Sequence, residues 1–202
     1  YSLRIGVDGC EETSQLLVDE GVPHWFSPKN VGPYVIRNSL IEMERATAYA
    51  VFDADDVMQP HYLSTLLSYV GKGIAGGART HIDEGGAVIR GRVPYHSGVA
   101  VISHAAWESL GGYRDWYIAA DHDLIRRAKA SGIPVTCFSR PLYLRRVHPG
   151  SLTRDPESGL GTLARSGHKD MSDRLVRAGA RHVEPVTTML ELRGPVLRAG
   201  AA

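Results

Sequence analysis

The chain has 202 residues, 23 Lys and Arg against 22 Asp and Glu, a formal net charge of +1 and 43% hydrophobic residues. That length holds one domain with a sizeable core and is marginal for two. Near-neutral charge gives no electrostatic case for nucleic acid or an anionic membrane, and no apolar run approaches the ~20 residues of a membrane span. The first residues show no secretory signal pattern. Cys10 and Cys137 form neither a zinc pattern nor a disulfide framework, so they read as buried or indifferent thiols of a reducing compartment. The expected location is cytoplasmic, with a peripheral place at a membrane as the alternative.

Residues 3–7 read as a buried strand stopped by Asp8-Gly9. Residues 11–20 can form a helix, with Leu16, Leu17 and Val18 apolar and Gly21 as a stop. Residues 22–26 make a short second strand. Residues 33–45 read as a helix. Pro33 suits the first turn, and Ile36, Leu40 and Met43 share a face. Residues 49–52 are a third strand. Pro60 opens a helix whose Leu63, Leu66, Leu67 and Val70 lie together, with Gly71 past its end. This alternation argues for a mostly parallel sheet flanked by helices.

The pattern then changes. Residues 74–80 and 87–93 flank Asp83-Glu84-Gly85-Gly86, which predicts a small antiparallel element. Residues 98–103 form an apolar strand, followed by a short helix over 104–110 that Gly111-Gly112 ends. An amphipathic helix spans 121–131, strands span 135–138 and 142–147, and a last helix spans 161–178. The tail over 183–197 is poorly specified.

In an open α/β sheet, ligands sit at the carboxyl ends of strands, and three acidic features fall there. Asp8 ends the first strand; it can meet a base or a ribose, or serve its own Asp-Gly turn. Asp53-Ala54-Asp55-Asp56 follows the third strand. Acidic residues at i and i+2 there can turn toward one divalent cation, and hard oxygen ligands suit Mg²⁺ or Mn²⁺, which in turn suit phosphate oxygens. Asp121 and Asp123 open the helix after the Gly-Gly turn. Asp121 can act as a general base, cap its helix, or do both. His148 follows a strand and can complete a carboxylate metal site or stand on the surface. Arg145, Arg146 and Arg154 around it read as a diphosphate clamp or as a solvated basic face.

The order of these motifs resembles the family 2 glycosyltransferases over residues 3–153. Ile5-Gly6-Val7-Asp8-Gly9 resembles the strand whose aspartate contacts the nucleotide base. Asn30-Val31-Gly32 with Arg37-Asn38 is similar to the N-x-G…R-N stretch, and Val51 to Asp56 is similar to the D-x-D segment. Ser97-Gly98-Val99-Ala100 with Leu110-Gly111-Gly112-Tyr113 resembles the acceptor-side segment. Ala119-Ala120-Asp121-His122-Asp123-Leu124 resembles the E-D-x-D-L motif, with Ala120 in place of its glutamate. Tyr143 to His148, then Ser151 and Thr153, resembles the Y-R-x-H…S-x-T end. Family members begin with a further strand and a P-x-Y-N-like turn. Their absence here implies a fragment, a strand supplied by a partner, or a shortened variant.

The resemblance implies a GT-A-like (Rossmann-like) domain over residues 1–154, with 155–202 as a helical C-terminal extension of it. It implies transfer of a sugar, a hexose by preference, from a nucleotide-diphosphate donor to a hydroxyl acceptor with inversion. A UDP-sugar is favoured and a GDP-sugar is the alternative; the acceptor is a glycan or another small or polymeric molecule. Asp121 carries the catalytic base. Asp8, Asn30, Arg37, Asp53, Ala54, Asp55 and Arg146 bind the nucleotide-sugar, while Gly98, Gly112, Trp116 and Asp123 line the acceptor side. Asp55, with Asp53, Asp56 and His148, holds Mn²⁺ or Mg²⁺. Trp107, Trp116 and Tyr117 could stack on a sugar or serve as core and rim aromatics. The rival reading is a non-catalytic nucleotide- or glycan-binding or scaffold subunit, and a weaker one is a nucleotidyltransferase.

Overall fold

The computed structural model describes residues 1–94 and 98–195. In chain order the elements are β1 (Gly6–Asp8), α1 (Glu11–Asp19), β2 (His24–Ser27), α2 (Pro33–Glu42) and β3 (Ala48–Val51). Next come β4 (Val57–Met58), α3 (Tyr62–Val70), β5 (Ile74–Ile82), β6 (Val88–Val93) and β7 (Ala100–Ser103). The rest are α4 (His104–Leu110), α5 (Ala120–Ala130), β8 (Val135–Arg146), α6 (Leu163–Arg177) and β9 (Glu191–Arg193). They divide into two units. The first holds Tyr1–Arg45, Tyr113–Tyr117 and the described residues from Glu184 on; the second holds Ala46–Gly112 and Ile118–Val183. The stretch expected as one C-terminal extension is thus shared out, with α6 in the second unit and β9 in the first.

In the first unit, β1 and β2 run parallel and β9 adds antiparallel to β2. Parallel neighbours need a crossover, and α1 is that crossover. Buried His24 ties helix to strand, with Nε2 2.7 Å from the Ser14 hydroxyl and Nδ1 3.1 Å from the Val22 carbonyl. Gly32 precedes α2 at φ 91°, and a Cβ there would sit 3.0 Å from the Tyr117 ring, so this entry requires glycine. Pro33 follows as the first helical residue, where its fixed φ suits the helix. Asn38 is fully buried on α2. Its amide donates to the carbonyls of Tyr113 (2.9 Å) and Val186 (3.1 Å), and its Oδ1 accepts from the Tyr113 amide at 2.9 Å. One side chain therefore fastens two segments remote in sequence to α2.

In the second unit the larger sheet has the order β3-β7-β5-β8-β4, with β6 on β5. The expected mostly parallel, Rossmann-like sheet is not what forms. β3·β7, β5·β7, β5·β6 and β4·β8 are antiparallel, and β5·β8 is the parallel pair among the described strands of this sheet. This mostly antiparallel sheet curls into a half-barrel. The reason lies in β7. It is apolar and buried along its whole length, and it inserts between β3 and β5 antiparallel to both. Strand–helix alternation reports local order along the chain and carries no information about which strand arrives between two others, or in which direction. The two strands expected over 135–147 are one, β8, whose register against β5 shifts around Ala78↔Pro141. A proline is tolerated at such an irregularity because the ladder is already interrupted.

The core of this unit lies between α3 and the sheet. Tyr62, Leu66, Ala75, Val101 and Leu142 are fully buried there, with Tyr143 and Phe52 edge-on to Tyr62. Ser103 caps α4, its hydroxyl accepting the Ala106 amide at 3.1 Å. Gly111 ends that helix at φ 70°.

Asn38→Ala should lower stability by about 2–4 kcal/mol, because it strands buried backbone partners at Tyr113 and Val186. Urea unfolding checks this; a change within a few tenths of a kcal/mol would show that water replaces the amide.

Candidate active site

The carboxylate turn is built by strand ends. β3 stops at Val51, which pairs with Ala100 of antiparallel β7. The turn after Val51 and the residues just before Ala100 therefore leave the same end of this pair. The Asp56 amide donates to the Asp53 carbonyl at 3.2 Å and closes the turn. β4 then pairs with β8 through Val57↔Leu144 and Met58↔Tyr143, which draws Asp56 alongside the end of β8.

The end of β8 holds the turn from the other side. The Arg146 amide donates to Asp56 Oδ1 at 3.0 Å. Its guanidinium donates to the carbonyls of Asp55 (3.1 Å), Asp83 (3.2 Å) and Glu84. Arg146, expected on the nucleotide-sugar, thus braces the carboxylate turn against the β5–β6 connection. His148 Nε2 lies 3.1 Å from Asp55 Oδ2. Arg145 donates to the Thr153 hydroxyl at 2.7 Å. Arg146 is thus engaged with the turn along its length, and Arg145 commits one nitrogen to Thr153.

Charge is concentrated here. Burial pushes the Asp56 carboxyl up to about 7; the Arg146 amide opposes this, and the charges of Asp53 and Asp55 reinforce it. Among the described residues, no group of three or more His, Cys, Asp or Glu side chains is arranged to hold a metal ion. Asp55 and His148 are a pair of adjacent donors at the turn; such a pair could hold Mg²⁺ or Mn²⁺ only with water and phosphate oxygens completing the shell. It does not fit a closed structural site. Ala54 is exposed at the tip of the turn and contributes backbone only.

Asp121 reaches the same end of the β3·β7 pair. Its Oδ2 accepts the Gly98 amide at 2.7 Å, and Gly98 lies two residues before Ala100, the partner of Val51. The chain enters α5 through buried Ala119 at φ 63°, a left-handed conformation in which a non-glycine residue costs of order 1–3 kcal/mol. Such strain is found where a fold holds a residue in place for a purpose, and the residue held here is Asp121. Ser97, which belongs to the same expected segment, lies outside the described residues.

Asp123 and Gly112 belong to one internal hydrogen-bond network. Asp123 is fully buried; its Oδ2 accepts Arg127 Nε at 2.7 Å and its Oδ1 accepts the Ser172 hydroxyl at 2.8 Å. Arg127, also fully buried, donates to the carbonyls of Leu110 (2.7 Å) and Gly112 (2.6 Å). These groups form an internal brace beneath Asp121.

The first unit holds the remaining expected residues. Asp8 spends both carboxylate oxygens on its own loop, accepting the amides of Val31 (2.7 Å) and Gly32 (2.9 Å). Asn30 is exposed on that loop, and the Arg37 guanidinium lies 5.2 Å from the Tyr34 ring centroid. Trp116 is partly buried under the Arg114 guanidinium, and Tyr117 packs on Gly32. Sequence reasoning missed Arg79, His81 and Arg90, which β5 and β6 bring beside Arg145. Their signal was Arg79 and His81 at i and i+2 on one strand face. Both cysteines are exposed, not buried.

No protein-family model matches the chain, and no curated protein matches it.

Asp56 gives a pH prediction with a definite sign. Its folded value is raised above the ordinary 3.8, so its contribution to stability is complete below pH 3.8 and is lost as pH rises through about 7. Asp56→Asn should therefore raise Tm more at pH 8 than at pH 5. Equal shifts at both values would show that the carboxyl titrates normally.

Proposed function

We propose that this chain is a metal-dependent glycosyltransferase that moves a sugar, a hexose by preference, from a nucleotide-diphosphate donor to a hydroxyl acceptor with inversion. The observation that carries this reading is the convergence of Asp121 and the carboxylate turn at one end of the β3·β7 pair, through Gly98. A base and a cluster of carboxylates with an adjacent histidine are what a displacement at a sugar–diphosphate bond requires. Asp55 and His148, with Asp53 and Asp56 beside them, would hold Mn²⁺ or Mg²⁺, which would supply positive charge to the leaving diphosphate. Asp121 takes the proton from the acceptor hydroxyl as that oxygen attacks the anomeric carbon. The Gly98 amide fixes the orientation of the Asp121 carboxylate, and the Asp123–Arg127 brace fixes its helix. Arg146 keeps the carboxylate turn closed.

In the first unit Asp8 shapes the loop that carries Asn30, ahead of the helix of Arg37; the donor proposed is a UDP-sugar in preference to a GDP-sugar. The acceptor is a glycan or another hydroxyl-bearing molecule. Among the described residues no helix is long and apolar enough to cross a membrane, and the location proposed is cytoplasmic.

Calorimetry with UDP and GDP, with and without Mn²⁺, tests the donor site. Metal-dependent binding of one nucleotide is expected. Asp121→Asn should retain that binding and lose turnover by ~10²–10⁴, the usual effect of removing a general base. Nucleotide binding without any transfer in the unaltered protein would identify a non-catalytic binding subunit. Binding of neither nucleotide to folded protein would overturn the reading.

A further inference from the structure

Three strands of the second unit bring cations to one sheet face. His81 of β5 pairs with Arg90 of β6 on one side and with Arg145 of β8 on the other. Arg79, two residues earlier on β5, faces the same way, and its Nε donates to His81 Nε2 at 3.1 Å. An accepting Nε2 makes His81 neutral and leaves its proton on Nδ1. Burial, followed by the charges of Arg79, Arg145 and Arg90, accordingly drives the His81 imidazole down to about 4. Among the described residues, none of these three arginines forms an ion pair with a carboxylate. All three guanidinium groups act on His81, and their hydrogen bonds among the described residues go to neutral groups such as the Pro94 carbonyl and the Thr153 hydroxyl. Arg145 also lies close enough to Asp56 to counter its charge, so the row borders the carboxylate turn.

We propose that the row Arg90–His81–Arg145, backed by Arg79, is a binding subsite for a phosphoryl group. Guanidinium forks match phosphate oxygens bidentately, and a phosphoryl dianion offsets more of this charge than one carboxylate can. The neutral imidazole adds a donor without further repulsion. The sheet fixes the spacing of these groups, so little ordering is needed on binding. The phosphoryl group has two sources within a transferase: the donor diphosphate, or an acceptor that itself carries phosphate. The subsite stands on this geometry alone; its use in sugar transfer rests on the function proposed above.

The test is NMR titration of the His81 ring with inorganic pyrophosphate in metal-free buffer containing chelator. A saturable shift is expected. Arg90→Gln should weaken it by about tenfold, and Arg90→Lys should restore part of the loss. Arg90 is exposed, so these variants leave the core intact. Arg145→Gln, checked for folding by its Tm, should weaken binding comparably. No saturable shift at His81, or one unchanged in both glutamine variants, overturns the subsite. Competition of pyrophosphate with UDP or GDP in Mn²⁺ would support it as the donor site. Simultaneous binding would support it as an acceptor site. Failure of both nucleotides to bind, with the His81 shift intact, would remove the transferase reading and leave the subsite standing.

Discussion

The buried ion pair of Asp123 and Arg127 is the constraint on which the second unit depends. Both side chains are fully removed from solvent, so neither charge can be left without partners. The fold answers by satisfying them from four directions. Asp123 meets Arg127 on its own helix and Ser172 on α6, and Arg127 reaches the carbonyls at the end of α4 and in the Gly-Gly turn. Removing one partner would strand the other in a low-dielectric interior. The helices α4, α5 and α6 are therefore placed as a group. Asp121, two residues before Asp123, is placed with them, and the left-handed Ala119 is the local cost of that placement.

The rest of the candidate site follows from sorting charge along a strongly connected sheet. Carboxylates collect where β3 ends, and cations collect on β5, β6 and β8. Arg146 and Arg145 stand at the boundary. Arg146 donates along its length to the carboxylate turn and the neighbouring connection, whereas Arg145 belongs to the cationic row. Asp56 reports the imbalance on the acidic side, and His81 reports it on the basic side. Burial, reinforced by like charges, favours the neutral form of each.

Local sequence determined the helices and most strand positions. Leu63, Leu66, Leu67 and Val70 mark α3, Pro33 marks the start of α2, and Gly111 and Gly132 mark the ends of α4 and α5, because apolar periodicity and backbone allowance act within a few residues. The acidic turn after β3, Asp121 at a helix start and the proximity of His148 to Asp55 were legible for the same reason: strand ends and helix starts put such residues at the edge of a fold. Tertiary structure alone decided the rest. The antiparallel insertion of β7, the hydrogen bond of Gly98 to Asp121, the burial of Asp123, the Asn38 junction and the row of Arg79, His81, Arg90 and Arg145 all join residues far apart in the chain. Strand direction and pairing are set by which long-range contacts bury the most surface while satisfying every backbone group, and no local pattern encodes that choice.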